Sequence, residues 1–348
     1  MANQRALRIS GMTLHPATPE NLAAALRAAH QSGGRVDRVN LSRLTRILEH
    51  TPEDMTVTVE TGCTLASLQR ALGARGQWLP IDPPHPDTLT IAELLDRNLS
   101  GPRRGGCGTI RDYVIGLRVA LADGRIIRNG GKVVKNVAGY DLIKLFIGAQ
   151  GSLGVIVEAT FKLLPLPAAE AFVQARCETL DDAEKLIIGV LDSELTPVVF
   201  DAHNIVPVDG AGSFALPRPL GGREGRGEGA SHSPSLRLVL GFAGSRVAVD
   251  WQIALACQLG FTAAATLDYE AVFHAPGQTE PHRAAVLPSR LVETLRALGP
   301  APFVARAANG VIHHRGAFNP APTDLPGQLH RRVKQAFDPN RVFPELAL

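Results

Sequence analysis

The sequence predicts an α+β protein built in two parts, and three observations carry that reading. At 348 residues the chain exceeds what one core normally organises, since single cores stop growing near ~250–300 residues. Short capped helices and short strands alternate up to about residue 166, where Pro165-Leu166-Pro167 breaks the pattern, because proline cannot continue a ladder. A second mixture of strands and helices follows. With 45% hydrophobic and 20% charged residues, close to ordinary soluble chains, most of the length is able to bury a core.

Thr18-Pro19-Glu20 opens an amphipathic helix carrying Leu22, Ala25, Leu26 and Ala29, which Gly33-Gly34 ends. Thr56–Glu60 alternates Val57 and Val59 with polar residues and reads as a strand. Thr64 caps a helix with Leu65, Leu68 and Leu72, closed by Gly73 and Gly76. The apolar run Tyr113–Leu121 meets the turn Ala122-Asp123-Gly124 and returns through Arg125–Arg128, a hairpin. Gly154–Leu164 is the last strand of the first part. Beyond the prolines, Ala171–Cys177, Thr196–Asp201 and Leu236–Phe242 read as strands, and Leu180–Leu191 and Arg246–Leu259 as helices. Pro217–Ser235 is rich in glycine and charge and has no apolar period, so it is expected to be a disordered insertion. Leu325–Phe337 is a basic amphipathic helix stopped by Asp338-Pro339. The expected organisation is 1–166, then 167–324 with the insertion at 217–235, then 325–348 packing back on the first part.

Composition excludes several classes. A net charge of +3 and 5% aromatic residues offer no nucleic-acid surface. Cys63, Cys107, Cys177 and Cys257 are too far apart for a zinc, redox or iron–sulfur set, and they read as free thiols of a reducing cytoplasm. The longest stretch without Lys, Arg, Asp or Glu, Trp251–Leu267, falls short of the ~20 residues of a spanning helix. Without the apolar run of a signal peptide, a cytoplasmic protein is expected, held to a membrane at most through partners.

Three glycine-bearing segments stand close together: Asn98–Pro102, Gly105–Asp112 and Gly148–Ile156, with Gly130–Asp141 between them. Glycine lets a backbone approach a ligand and take positive φ. Turn glycines explain any one segment equally well, but the set points to a ligand cradle. The G-x-G-x-x-A match Gly210–Ala215 follows no βαβ strand, and no P-loop or H-E-x-x-H motif occurs.

Gly130–Ile156, Gly101–Gly116 and Thr61–Pro84 resemble the FAD-binding domain of the vanillyl-alcohol-oxidase or PCMH type. Lys132–Asp141 with Gly151–Ile156, and the tail segments Ala305–Gly310 and Lys334–Pro339, resemble the FAD-binding E subunits of bacterial glycolate oxidases. The resemblance implies a PCMH-type two-part FAD-binding domain under an α+β cap domain. It also implies flavin-dependent oxidation of a small 2-hydroxy acid, with electrons passed to a sister flavoprotein subunit and an iron–sulfur subunit. Carried over by position, Ser100, Gly101 and Gly108 would line the pyrophosphate and ribityl chain. Gly154, Val155 and Ile156 would offer backbone groups to flavin or adenine, and Asp82, Thr90 and Ile91 would approach the cofactor. The alternative is a structural subunit that has lost its cofactor but keeps the partner surface.

Two departures from that pattern matter. The family carries a strand and a glycine-rich loop between the first helix and the segment matching Leu41–Leu48; here Gly33–Val36 runs almost directly into Asp37–Leu41, as if both were deleted. At Ile91-Ala92-Glu93 the family has a glycine pair, so Glu93 would set a carboxylate near phosphates, at a cost unless a cation intervenes. For catalysis, His313-His314-Arg315 is the tight His/Arg cluster, readable also as a solvated turn before Gly316; on a strand its two histidines face opposite ways, so one at most serves. Lys132 and Lys135 suit a solvated face or an anion equally, while Tyr140 and an Arg111–Asp112 ion pair are assigned to the scaffold.

Overall fold

In the computed structural model, residues 11–131, 141–208, 213–215, 236–263, 266–275, 277–317 and 327–345 are described. The expected insertion 217–235 and the block Lys132–Tyr140 lie outside them.

The chain begins as a βαβ unit. β1 (Met12–Leu14) leads into α1 (Pro19–Ser32), whose N-cap Thr18 Oγ1 accepts from Asn21 N at 3.1 Å and whose C-cap Gly33 sits at φ +69°. β2 (Val36–Val39) then pairs in parallel with β1. This corrects the expectation of a deleted strand. Asp37 and Arg38 erase the alternation that marks a strand in sequence, whereas Val36 is buried and the free edge of β1 accepts the pairing. The connection that follows, 40–46, contains no glycine.

β3 (Ile47–Thr51), β4 (Thr56–Glu60), β6 (Val114–Ala120), β7 (Ile126–Gly130) and β8 (Val155–Lys162) form an antiparallel five-stranded sheet in the order β3-β4-β8-β6-β7. Gly124 at φ +79° closes the β6–β7 hairpin. Side chains alternate across this sheet: Val57, Val59, Ile156 and Phe161 enter a core shared with α2 (Leu65–Gly73), α3 (Ile91–Asp96), α5 (Ile110–Tyr113) and α6 (Ile143–Phe146). Each such apolar side chain contributes roughly 1.5–3 kcal/mol. A short pair, β5 (Gln77–Trp78) with β9 (Leu164–Pro165), borders the sheet, and α4 (Arg104–Cys107) precedes α5. Arg111 and Asp112 do not pair with one another: Asp112 Oδ2 accepts from Thr109 N and Oγ1, and Arg111 donates to the carbonyls of Lys144 and Ile147. A carboxylate three residues past Thr109 serves a capping box better than an adjacent guanidinium.

The second part is an antiparallel seven-stranded sheet in the order β15-β10-β14-β11-β17-β18-β16. Its strands are β10 (Ala169–Cys177), β11 (Val199–His203), β14 (Leu236–Gly244), β15 (Thr262–Ala263), β16 (His282–Ala285), β17 (Phe303–Arg306) and β18 (Val311–His314). A separate pair joins β12 (Val206–Val208) to β13 (Ser213–Ala215). α7 (Leu180–Leu191), α8 (Arg246–Gln258) and α10 (Leu291–Leu298) cover one face over Leu238, Leu240, Phe303 and Ala305. On the other face α9 (Asp268–Phe273) packs Tyr269 and Phe273 on Val239 and Val304. The His313-His314 segment is therefore strand β18 and not a solvated turn, and His314 is 1% exposed.

The tail returns to the first part. α11 (Gly327–Phe337) sets Phe337 edge-on to Phe146, and Lys334 Nζ donates to Ser152 O at 2.7 Å, Asp338 Oδ2 at 2.6 Å and Phe343 O at 3.2 Å. Asp338 in turn accepts from Val342 N and Phe343 N, and Val342 O receives Val36 N, so the tail caps the β1–β2 unit. All four cysteines are free thiols. Among the described residues no helix is long and apolar enough to cross a membrane, and no cluster of His, Cys, Asp or Glu is set to hold a metal ion.

Candidate functional site

Two cavities lie on either side of Glu93, the first between the two parts and the second between the first part and the tail. The first, about 580 Å³, lies between the Pro83–Ser100 stretch and the segments around His274, Arg283, Arg306 and His313. The second, about 520 Å³, is enclosed by the β2 end and 40–45 loop, the start of α3, the Gln150-Gly151 turn, Val155, and Phe343-Pro344 of the tail. Glu93 stands in the wall of both.

Strand alternation decides what faces the first cavity. Asp201 and Arg306 are cross-strand partners, and His313 lies opposite Val304, which is two residues from Arg306. All three share one face, while Phe303, Ala305 and His314 share the other. The Arg306 guanidinium donates through Nη1 to Asp201 Oδ2 and to Glu270 Oε1, the latter at 2.6 Å; the Tyr269 hydroxyl donates to Asp201 Oδ2 at 2.7 Å. Two carboxylates share one cation, and burial pushes the Asp201 carboxyl up to about 7 against the pull of Arg306. One helical turn beyond Glu270, His274 brings Nε2 to 3.7 Å from Glu270 Oε2. Burial, reinforced by the positive field of Arg306, holds the His313 imidazole well below its ordinary range, so it is neutral at pH 7. Arg315 is occupied by the carbonyls of Phe273 and Thr279, whereas Arg283 makes no ion pair among the described residues.

The residues singled out in sequence divide between these places. Ser100 lines the first cavity, where its Oγ accepts from Arg104 at 3.2 Å; His313 lines it too. Thr90 and Val155 line the second. Asp82 is held by Arg103, Nη1 to Oδ2 at 2.5 Å, and burial raises its carboxyl even so; a side chain at Gly101 would run into the Asp82 carbonyl. Ile91 is turned into the core and gives its N–H to Cys63 O. Ile156 is also core, its carbonyl receiving Thr61 Oγ1 at 2.6 Å. A Cβ on Gly154 would lie 2.8 Å from Val119 Cγ1, so this glycine serves the approach of β8 to β6. Gly108, at φ +86°, ends α4. His314 is on the opposite face of the sheet, beside His282. Sequence reading missed His274, Glu270 and Arg283; they come from separate segments with no shared motif, and only the fold brings them to one wall.

Each cavity by itself lies within the usual size of small-molecule and cofactor sites. They are apolar at the far ends, with Val39, Leu41 and Phe343 at one and Pro83, Leu89 and Leu99 at the other. Gly151, at φ +71° and with Asp96 Oδ2 3.9 Å from where a Cβ would stand, supplies a bare backbone to the second cavity. This shape fits an elongated dinucleotide. The Thr90–Glu93 capping box is the discord: Glu93 Oε2 accepts from Thr90 N and Oγ1, both at 3.0 Å, where a phosphate would need donors.

The fold is that of an FAD-binding domain of the PCMH type, and the cofactor is FAD. Residues 38–130 match the family described as FAD binding domain. The chain is 36% identical over 177 residues to glycolate oxidase subunit GlcD of Bacillus subtilis (strain 168), covering 50% of this chain and 38% of that protein. It is 41% identical over 124 residues to glycolate oxidase subunit GlcE of Escherichia coli (strain K12), covering 35% of each. A D-lactate dehydrogenase of Archaeoglobus fulgidus is 31% identical over 200 residues, covering 51% of this chain and 44% of that one. The chain thus spans less than half the length of these relatives. Among solved structures, alkyldihydroxyacetonephosphate synthase superposes with a TM-score of 0.70 over 95% of this chain and 75% of that one, at 16% identity, a likeness of fold.

Proposed function

We propose that this chain is the FAD-holding subunit of a glycolate-oxidase-like complex that oxidises a small 2-hydroxy acid. In this reading residues 1–166 form the FAD domain, 167–324 the cap, and 325–348 a tail returning to the FAD domain. One observation carries it: a cavity of about 580 Å³ at the edge of an FAD-binding domain, walled by a neutral histidine and by arginines. FAD, when bound, supplies the acceptor for the two electrons and the α-hydrogen of the substrate. Gly151, Val155 and Thr90 would hold its adenosine half, with Ser100 and Leu99 towards the flavin end. Arg283, which makes no ion pair among the described residues, pairs with the substrate carboxylate, while Arg306 and Arg315 are already engaged by carboxylates and carbonyls of the protein. His313, neutral and buried beside Arg306, takes the hydroxyl proton. Asp201 and Glu270 fix Arg306, and His274 stands in the cavity wall with its Nε2 3.7 Å from Glu270 Oε2. Electrons leave to a sister flavoprotein subunit and an iron–sulfur subunit; cytoplasmic placement, peripheral to a membrane through those partners, goes with this reading.

A specific observation favours a second reading, a subunit without cofactor that keeps the partner surface: the 40–46 connection lacks glycine, as a deleted family loop would leave it, and Glu93 occupies the α3 start. Co-purification from the native host with a flavin absorbance scan separates the two. Yellow protein with bound partners supports the first, and colourless protein that still binds them supports the second.

A further inference from the structure

The acidic groups in the second cavity are arranged unlike those of a ready phosphate site. Glu93 is clamped by Thr90 at the cavity wall, and Asp96 follows one turn later on the same helix face. The Asp96 carboxyl receives no hydrogen bond and no cation among the described residues. Across from it stands the bare backbone of Gly151, whose missing Cβ would lie 3.9 Å from Asp96 Oδ2, so a ligand resting on that turn meets this carboxyl. From β2, Asp37 and Arg38 face the same space; the 148–155 turn brings no charged side chain, and the tail brings Phe343 and Pro344. Lys334 is consumed behind that wall by Ser152, Asp338 and Phe343. One cation, Arg38, is thus set against Asp37, Glu93 and Asp96.

We propose that this cavity is an acid-gated cofactor site: with Glu93 and Asp96 both ionised the chain repels the diphosphate of FAD, and it holds FAD tightly only once Asp96 takes up a proton. The inference rests on the proposed placement of FAD along these two cavities. Protonation does two things: it removes one of two like charges in a partly dry site, and it turns Asp96 from an acceptor into an O–H donor towards a phosphate oxygen. Burial and the neighbouring Glu93 push the Asp96 carboxyl up to about 7, so the change falls within the physiological range. A raised carboxyl is protonated below that value, so affinity is full on the acid side and declines as pH rises. If only the protonated form is competent, the dissociation constant scales inversely with its fraction, roughly tenfold between pH 6 and pH 8.

The test is a fluorescence titration of the full chain, stripped of flavin, with FAD at pH 6 and pH 8, alongside Asp96→Asn, Glu93→Gln and, as a ligand without diphosphate, riboflavin. The expected result is a wild-type dissociation constant for FAD about tenfold weaker at pH 8, an Asp96→Asn variant that binds equally tightly at both, and a riboflavin affinity that pH leaves unmoved. Glu93→Gln shifts the transition to lower pH, so the proposal does not depend on one variant folding. Equal FAD affinity at both pH values in wild type, with no gain in Asp96→Asn, overturns the gate and leaves the cofactor reading standing. No FAD binding by any variant at either pH overturns both.

Discussion

Replacing Arg306 by methionine is expected to destabilise the fold by about 3–5 kcal/mol, the range for removing one partner of a buried ion pair. The guanidinium is 4% exposed and donates through one nitrogen to both Asp201 and Glu270, while Asp201 and Glu270 are 0% and 10% exposed. Methionine fills much of the space but leaves two carboxylates facing each other, with the Tyr269 hydroxyl the remaining donor to Asp201. The pH dependence follows from the sign of the shift. In the wild type, burial lifts Asp201 from 3.8 to about 7, so its contribution is intact below the unfolded value and is lost as pH climbs through about 7. Without the cation the Asp201 carboxyl rises further, so the deficit of the variant grows between pH 6 and pH 8. Urea midpoints at the two pH values measure it, with slopes compared to check that the same surface unfolds. The triple change Asp201→Asn, Glu270→Gln, Arg306→Met should recover most of the loss, because no buried charge is then left unpaired. A single variant within about 1 kcal/mol of wild type at both pH values, well under the buried-pair range, refutes the reasoning, as does a triple variant no better than the single one.

Lys334→Met strands the Asp338 carboxylate, 0% exposed, and should loosen the tail. Limited proteolysis is expected to cut near residue 338 well before wild type is cut, and unchanged protection would show that the tail does not depend on this pair. Gly154→Leu overpacks the contact with Val119 and Ala120 and should cost about 1–3 kcal/mol in denaturant stability. If instead stability holds and flavin content alone falls, Gly154 belongs to the cofactor wall. His313→Gln in the assembled complex should lower turnover by about 10²–10⁴ with flavin content unchanged, the usual worth of a positioned base. A loss below threefold would move the proton to His274, and the matching His274 variant decides it.

Much of the fold was readable in the residues because the signals are local. Thr18, Thr64 and Thr179 accept hydrogen bonds from the first turns of α1, α2 and α7, and Gly33 closes α1 in the left-handed region. Thr56–Glu60 and Leu180–Leu191 have the very bounds their patterns imply. β2 escaped notice because four residues with two charges in the middle carry no period; what makes them a strand is the open edge of β1, which no local pattern contains.

The site was legible only where it consists of backbone. Glycines at 101, 108, 151 and 154 announced close approach, yet the sequence did not say approach to what. At 101 and 154 the neighbour is packed chain, Asp82 and Val119, and at 151 it is the Asp96 carboxyl at the wall of the second cavity. A glycine reports the space it leaves and not the occupant. The chain by itself determined two parts, an FAD-binding pattern and a carboxylate at Glu93. Only tertiary structure decided that His274, Arg306 and His313 share one wall, with Asp201 and Glu270 bonded to Arg306, because strand register and a helix from separate segments set which side chains meet, and burial among those neighbours then sets which of them hold a proton.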